Sequence, residues 1–252
     1  LQKEISLNTN KSLYMQIKDS IKEQIRKGDL KAGDRVPSER ELCEMFGVSR
    51  ITVRQAINEA VQEGLLYTIQ GKGTFIVDTN GQKINQGLVK ITSFSETMQN
   101  RGINAKTKLL SHSVQQADFG LSKILNIDIT KEVLSLYTLG MGNEQIMVLY
   151  ESYFELSLGK KILESALNMV EKEAPFSSTD LYTRTGIRPS HVDQTFEAVT
   201  ADEEMAALMN IQRGHPLFLI SSIIYDGDSN PLEYRKSFYR ADKYKFHIQR
   251  KI

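Results

Sequence analysis

KAGDRVPSERELCEMFGVSRITVRQAINEAVQEGLLYTIQGKGTFIV, residues 31–77, is the stretch whose reading decides the fold. Pro37 stiffens the approach to a helix. Ser38 and Glu41 form an S-x-x-E capping box, in which each side chain satisfies a free backbone N–H. Leu42, Met45 and Phe46 recur at helical spacing and are expected to face a core. Gly47 suits the left-handed position that closes a helix. Ser49 then caps a second helix with the apolar stripe Val53, Ala56, Ile57, Ala60 and Val61. Arg50, Thr52 and Arg54 fall in its first two turns, mostly off that stripe. After Gly64, residues 65–70 and 74–77 read as strands around the turn Gly71-Lys72-Gly73. Two helices with a tight turn and a following hairpin make a winged helix-turn-helix. Such a fold presents the first residues of its second helix to base edges, and Lys72 at the wing tip is placed for a phosphate or a minor groove. The pattern by itself leaves a second reading open, a capped helical domain with a solvated charged face. Arg35, Arg40, Arg50, Arg54 and Lys72 are interleaved with Glu39, Glu41, Glu44, Glu59 and Glu63, which dilutes long-range attraction to an anion.

Outward from this stretch, residues 12–27 read as an amphipathic helix. Leu13, Ile17, Ile21 and Ile25 follow a Ser12 cap at every fourth position. Residues 78–90, DTNGQKINQGLVK, are polar with two glycines and read as a linker. The chain has 252 residues and 40% hydrophobic content, enough for two domains with real cores, and its net charge of +1 indicates no partner class. No opening apolar run resembles a signal peptide, and no run of about 18 apolar residues is present to span a membrane. Cys43 is the one cysteine, which excludes an intrachain disulfide and fits a cytoplasmic location; it reads as a small buried apolar residue.

Beyond the linker the pattern changes. Residues 106–115 read as a strand, 119–125 as a short helix, and 133–141 with 146–154 as a hairpin around Gly142-Asn143-Glu144. Residues 160–172 and 179–185 read as helices, 189–199 as a strand and 201–210 as a helix. A last hairpin, 217–225 with 232–239, turns over 226–230. Regular strands with inserted helices indicate an α+β domain on an antiparallel sheet. The expected organisation is 1–77 for DNA binding, 78–90 as linker and 91–252 as a second domain.

The strings VPSEREL, FGVSRITVRQA, EGLL and GKGTF closely resemble the DNA-binding domain of the GntR family of bacterial transcription regulators. The resemblance implies that Arg40, Arg50 and Arg54 contact operator DNA, joined by Thr52 and by the wing turn at Lys72 and Gly73. With the helix caps and the neighbouring arginine, the candidate DNA-binding set is Arg35, Ser38, Arg40, Ser49, Arg50, Thr52, Arg54, Lys72 and Gly73. Over residues 91–250, ITSFSETMQNRG, VLYESYF, DLYTRTGIRP, QTFEAVTADEE, GHPLFLI and PLEYRKSFYR resemble the UTRA domain of the HutC-type branch of that family. This implies a chorismate-lyase-like fold, a homodimer formed largely through the second domain, and a small-molecule effector that alters DNA affinity. The expected function is therefore an operator-binding regulator acting on an inverted repeat. A repressor is preferred, an activator of the same fold is the alternative, and a UTRA-type enzyme stays distant.

The residues offer no catalytic, metal or cofactor site. There is no G-x-S-x-G elbow and no H-E-x-x-H helix, and His112, His191, His215 and His247 lack ligand spacing. Gly71-Lys72-Gly73-Thr74 lacks the order of a phosphate loop. The run 226–230 resembles the start of a calcium loop, but Pro231 and Ser237 stand where that loop needs glycine and glutamate. The effector site is expected around acidic and phenolic strand residues. Glu233 and Tyr239 are six residues apart on one strand, an even offset that turns both to one face, and Glu151 follows the apolar run 146–150. Ordinary solvated strand positions are the plain alternative. By resemblance, sugar-binding UTRA domains use the glutamates at 151 and 233, the tyrosine at 239 and a loop matching Ser93-Phe94-Ser95. Aligned through Glu151, the R-x-R pair that grips phosphosugars becomes Leu139 and Met141, and the S-L-Y string becomes Asp180-Leu181-Tyr182. Losing two cations and gaining an acid predicts an unphosphorylated effector, polyhydroxylated or amine-bearing, with a sugar preferred. Arg184 and Arg188 are the nearby cations in sequence.

Overall fold

The computed structural model describes residues 11–31, 33–77, 83–87, 93–99 and 101–248. They fall into two compact units: residues up to 92 with 96–103 and the stretch from Tyr244 onward, and residues 93–95 with 104–243. No helix among the described residues is long and apolar enough to cross a membrane.

The first unit begins with α1 (Leu13–Lys27), α2 (Glu39–Phe46) and α3 (Arg50–Gln62), followed by the hairpin β1 (Leu66–Ile69) and β2 (Gly73–Ile76). Its core joins Ile17 and Ile21 of α1, Leu42 of α2, and Val53, Ala56, Ile57 and Ala60 of α3, with Leu65, Leu66 and Ile76 beneath the hairpin. Cys43, Phe46 and Val61 pack at its margin. Two apolar positions expected inside are instead exposed: Leu13, in the first turn of α1, and Met45, on the outer side of the short α2. The capping box at Ser38 and Glu41 forms as the spacing requires, and Gly47 closes α2 at φ 63°. Ser12 occupies the cap position of α1, but its hydroxyl makes no capping bond. The segment before α2 lies along β2, with Val36 N–H donating to Thr74 O at 2.8 Å and Ile76 N–H to Asp34 O at 2.9 Å.

Residues 78–82 and 88–90 of the expected linker lie outside the described residues. Between them is a strand the sequence reading missed, β3 (Ile84–Gly87), which pairs in parallel with the last strand, β10 (Tyr244–His247). A second missed element is α4 (Phe94–Gln99). Arg101 fixes this corner by donating to Asn85 O at 2.6 Å. Burial lowers the Arg101 guanidinium to about 10, with Tyr244 opposing the shift.

The second unit is one six-stranded antiparallel sheet in the order β4 (Ala105–Gln116), β5 (Glu132–Gly142), β6 (Gln145–Glu155), β9 (Pro231–Arg240), β8 (Pro216–Tyr225) and β7 (His191–Thr200). The chain lays down β4 to β6, then crosses through α6 (Leu156–Glu171) and α7 (Ser178–Thr185) to the far edge, and returns inward. The β5–β6 turn has Asn143 and Glu144 at φ 47° and 64°, the two left-handed residues that suit the twist of a tight hairpin. Helix α6 starts at Leu156, earlier than the expected 160, because Glu155 accepts from Ser157 N–H and Leu158 N–H as its cap. One sheet face packs under α6 and α7 through Leu134, Leu136, Phe154, Ile162, Leu181 and Tyr182. The other face is covered by α5 (Phe119–Leu125) near Val133 and by α8 (Glu203–Met209) near Leu139, Leu149 and Phe238.

Candidate DNA-reading face and effector site

Burial of Val53, Ala56, Ile57 and Ala60 fixes the rotation of α3 and turns Arg50 and Arg54 to solvent. The Ser49 hydroxyl accepts from Thr52 N–H at 3.3 Å and lies 3.0 Å from the Thr52 hydroxyl. Ser38 and Ser49 thus spend their hydroxyls on helix starts. Arg54 Nε donates to both Glu39 oxygens, at 3.0 and 2.9 Å, and Arg40 pairs with Glu44 at 3.4 Å. Exposed pairs of this kind contribute about 0–1 kcal/mol, so either arginine can exchange its partner for a phosphate or a base at small cost. Hydrogen bonds from Ser38 hold the Glu41 carboxyl below its ordinary range. At the wing, Gly73 has φ +126°, and a Cβ there would stand 2.7 Å from Arg35 Nε. The Arg35 side chain therefore lies across the turn next to exposed Lys72. The candidate residues gather at the start of α2, the start of α3 and the wing.

In the second unit the register decides the site. The β6–β9 pairs Val148↔Tyr239, Tyr150↔Ser237 and Ser152↔Arg235 place Tyr150, Ser152, Arg235, Ser237 and Tyr239 on one face, together with Glu233. Thr138 and Gly140 of β5 share it, opposite Tyr150 and Val148. This face is polar at its centre although it is buried: Thr138, Ser152, Ser222, Ser237 and Glu233 are all enclosed. The Tyr182 hydroxyl donates to Glu233 Oε2 at 2.8 Å, and Arg235 Nη1 lies 3.8 Å from Glu233 Oε1. Arg235 also donates to the Ser178 hydroxyl at the start of α7, and its guanidinium stands 5.9 Å from the centre of the Tyr150 ring. The Tyr150 and Tyr239 hydroxyls are 3.4 Å apart. Glu233 Oε1 and Arg235 Nε are buried and have no hydrogen-bond partner. Burial opposes the charge of Arg235, but Glu233 beside it prevails and raises its pKa. Burial pushes the Tyr182 phenol up, and the Glu233 carboxylate pushes it further. Phe94 closes one side: a Cβ on Gly140 would meet its ring at 3.0 Å. The flanking Ser93 and Ser95 hydroxyls are 3.0 Å apart.

Comparison with known proteins supplies the family. The description "Bacterial regulatory proteins, gntR family" matches residues 13–76, and "UTRA domain" matches residues 100–245. The chain belongs to the GntR family. It is a bacterial DNA-binding transcription regulator with a UTRA domain. Among its relatives is the HTH-type transcriptional repressor NagR of Bacillus subtilis, 32% identical over 95% of this chain and 97% of that one. Another is the mannosyl-D-glycerate transport/metabolism system repressor MngR of Escherichia coli, 31% identical over 94% of this chain and 95% of that one. The crystal structure of PhnF from Mycobacterium smegmatis superposes with a TM-score of 0.61 at 26% identity, covering 93% of this chain and 99% of that one.

Within this GntR–UTRA frame, the structure divides the expected effector set between the two sheet faces. It brings Glu233, Tyr239 and Tyr182 together. Glu151, Leu139 and Met141 belong to the opposite sheet face. Glu151 is paired with Lys236, Leu139 is in the core under α8, and Met141 packs at that core's edge. Burial raises the Glu151 pKa; Lys236 opposes this, while Glu204 and Asp202 add to it. The physical reason is the period of two: aligning through residue 151 instead of 150 sends every dependent position through the sheet. Asp180 is occupied as well. Its carboxylate accepts from Ser177 N–H at 2.8 Å and from the Ser177 hydroxyl at 2.7 Å in the capping box of α7. Arg235, Tyr150, Thr138 and Gly140 share the face of Glu233 and Tyr239, and sequence reasoning did not name them. The signal for Arg235 was present, since it sits at an even offset between Glu233 and Tyr239; Tyr150 needed the strand pairing.

Proposed function

We propose that this regulator is a homodimeric repressor that releases an inverted-repeat operator when a neutral, hydroxyl-rich small molecule binds the polar sheet face. The observation that carries the effector reading is the enclosed Glu233–Arg235 pair. Glu233 Oε1 seeks a donor and Arg235 Nε seeks an acceptor. A hydroxyl group serves as both at once. The pair sums to zero charge, and an anion set against Glu233 would meet a carboxylate as well as a guanidinium. Tyr150, Tyr182 and Tyr239 add hydroxyls and flat apolar surface suited to a sugar ring. The names of NagR and MngR as repressors, the latter of a mannosyl-D-glycerate system, favour repression and a carbohydrate. The chain acts by binding rather than by turnover.

On the DNA side, Arg50 and Arg40 are assigned to guanine edges, which a guanidinium matches bidentately. Lys72 and Arg35 are assigned to backbone or minor groove at the wing. One reading head covers half a site, so two copies related by a two-fold axis read the repeat. The experiment is a thermal-shift panel that pairs sugars with their phosphates, followed by release of labelled operator. Stabilisation and release by parent sugars are expected, and Glu233→Gln should abolish both. A response to a sugar phosphate but not to its parent would refute the neutral-ligand reading.

A further inference from the structure

The outermost line of α3 is not made of arginines. At ~100° per residue, Ile51, Gln55 and Asn58 fall opposite the buried stripe of Val53, Ala56, Ile57 and Ala60. Arg50 and Arg54 stand on one flank of that line, and Glu59 on the other. Ile51 is 79% exposed, more than any other large hydrophobic among the described residues, and it lies in the first turn of α3. With Arg54, Gln55, Asn58 and Glu59 it lines a shallow depression of about 410 Å³. A branched apolar side chain so exposed gains nothing for the fold at that place. Gln55, one turn further on, is exposed on the same line and holds two donors and an acceptor.

We infer that Ile51 is a specificity-determining residue that packs against the C5-methyl group of a thymine in the operator's major groove, with Gln55 beside it to take an adenine edge. The inference rests on the assignment of α3 as the reading helix. The occupant follows from continuity: Arg50 and Arg54 border the line, so the surface that meets DNA through them meets it through Ile51 as well. Only thymine among the four bases offers an apolar group in that groove, and Gln is the bidentate complement of adenine N6 and N7. The arginines then hold guanine and phosphate, while the central line adds an A·T preference they do not supply.

The test uses the full-length protein and the operator that it selects from random duplexes. Each thymine of a half-site is replaced in turn by uracil, which removes only the methyl group. At one position, replacement in a single half-site should weaken the wild-type protein about fourfold, the equivalent of one buried methylene. Ile51→Ala should bind the unmodified operator more weakly and lose no further affinity on that uracil duplex. Alanine is a strong helix former, and the side chain is exposed, so the variant keeps its fold. If no uracil weakens the wild type, or if Ile51→Ala loses affinity on uracil as the wild type does, the inference is overturned. Arg50→Ala in the same panel separates the causes. If Arg50→Ala keeps full sequence preference, α3 is not the reading helix and the inference falls with it. If Arg50→Ala relaxes the preference while Ile51→Ala stays uracil-sensitive, the role of Ile51 alone fails.

Discussion

Replacing Glu63 by alanine should cost the first unit about 3–5 kcal/mol, the usual penalty for removing one partner of a buried ion pair. Glu63 directly follows α3, and its side chain is almost fully enclosed. Lys18 of α1 reaches one carboxylate oxygen at 2.6 Å, and Lys22 reaches the other at 2.8 Å. Lys22 is partly exposed and can turn to water, whereas Lys18 is buried and would keep only its longer contact to Glu59, at 3.8 Å. A unit of this size has a stability on the order of 5–15 kcal/mol, so the loss removes a large share of it and weakens the operator-binding fold with it. The assay is urea denaturation followed by far-ultraviolet circular dichroism, run beside operator binding. The double variant Lys18→Met with Glu63→Leu should recover most of the loss, because a packed apolar pair replaces a buried charged one at little cost. The pH dependence has a definite sign. Burial opposes the charge of Glu63, but the bonds from Lys18 and Lys22 prevail and lower its pKa. Its contribution is therefore full above about 4.3, the ordinary glutamate value, and disappears as pH falls through the depressed folded value. Lys18 is raised for the reciprocal reason, so its share is present below its ordinary value and is lost as pH rises through the raised one. A cost under ~1 kcal/mol for Glu63→Ala, or a double variant no better than the single, would refute the reasoning.

Arg50→Ala should weaken binding to the selected operator by roughly 1–3 kcal/mol and relax its sequence preference, while Lys72→Ala should weaken binding to all duplexes alike; fluorescence anisotropy on specific and random DNA separates the two. Gly140→Val should abolish the effector response, because even its first carbon would sit 2.7 Å from Val148 Cγ1 and 3.0 Å from the Phe94 ring; an unchanged thermal shift with effector would count against the site. Sedimentation should find dimers both of the full chain and of a fragment starting at residue 83, which keeps β3 with β10; a monomeric fragment beside a dimeric full chain would move the interface to the residues before 83. Asp242→Asn should loosen the clamp in which Arg240 and His215 hold the carboxyl, burial notwithstanding, at about 2; the resulting loss of stability, read by thermal melting, should fade below the ordinary aspartate range, where the native acid also begins to protonate.

Residues 12–77 of the first unit were legible almost residue by residue because their signals are local. A capping box, a left-handed glycine and a stripe repeating every three or four positions each describe a few consecutive residues, and α2, α3 and the wing follow from them. The misses there are equally local. Met45 has helical spacing, but α2 is too short to bury both sides of its end. The pairing of β3 with β10 was not legible. Ile84–Gly87 has no alternation to mark it as a strand, and its partner lies at the opposite end of the chain. Periodicity describes a segment and says nothing about which distant segment completes it.

The candidate effector site shows where such reading turns from strong to fragile. Along β9 the sequence is sufficient: residues 233, 235, 237 and 239 must share a face, and the structure has Glu233, Arg235, Ser237 and Tyr239 together. Across strands it is insufficient, because the parity of β6 against β9 is set by hydrogen-bond register, which no single strand contains. An alignment that picks Glu151 over Tyr150 looks better chemically, since an acid suits a ligand, yet it moves the position through the sheet, beside Lys236 and away from Glu233. The same single step turned Thr138 and Gly140 into Leu139 and Met141, so two apolar residues in a core were read as lost phosphate ligands. The proposal of an unphosphorylated effector rests on a different basis. It no longer depends on missing arginines, because an arginine is present. It depends on Arg235 being set against an enclosed Glu233, so that the site offers one donor and one acceptor and no net charge. Glu233→Gln should therefore do more than weaken a hydroxyl contact. By leaving the Arg235 cation uncompensated it should shift the site's preference from the parent sugar toward its phosphate, and a thermal-shift panel on that variant with no such shift would show that the pair does not set the charge of the ligand.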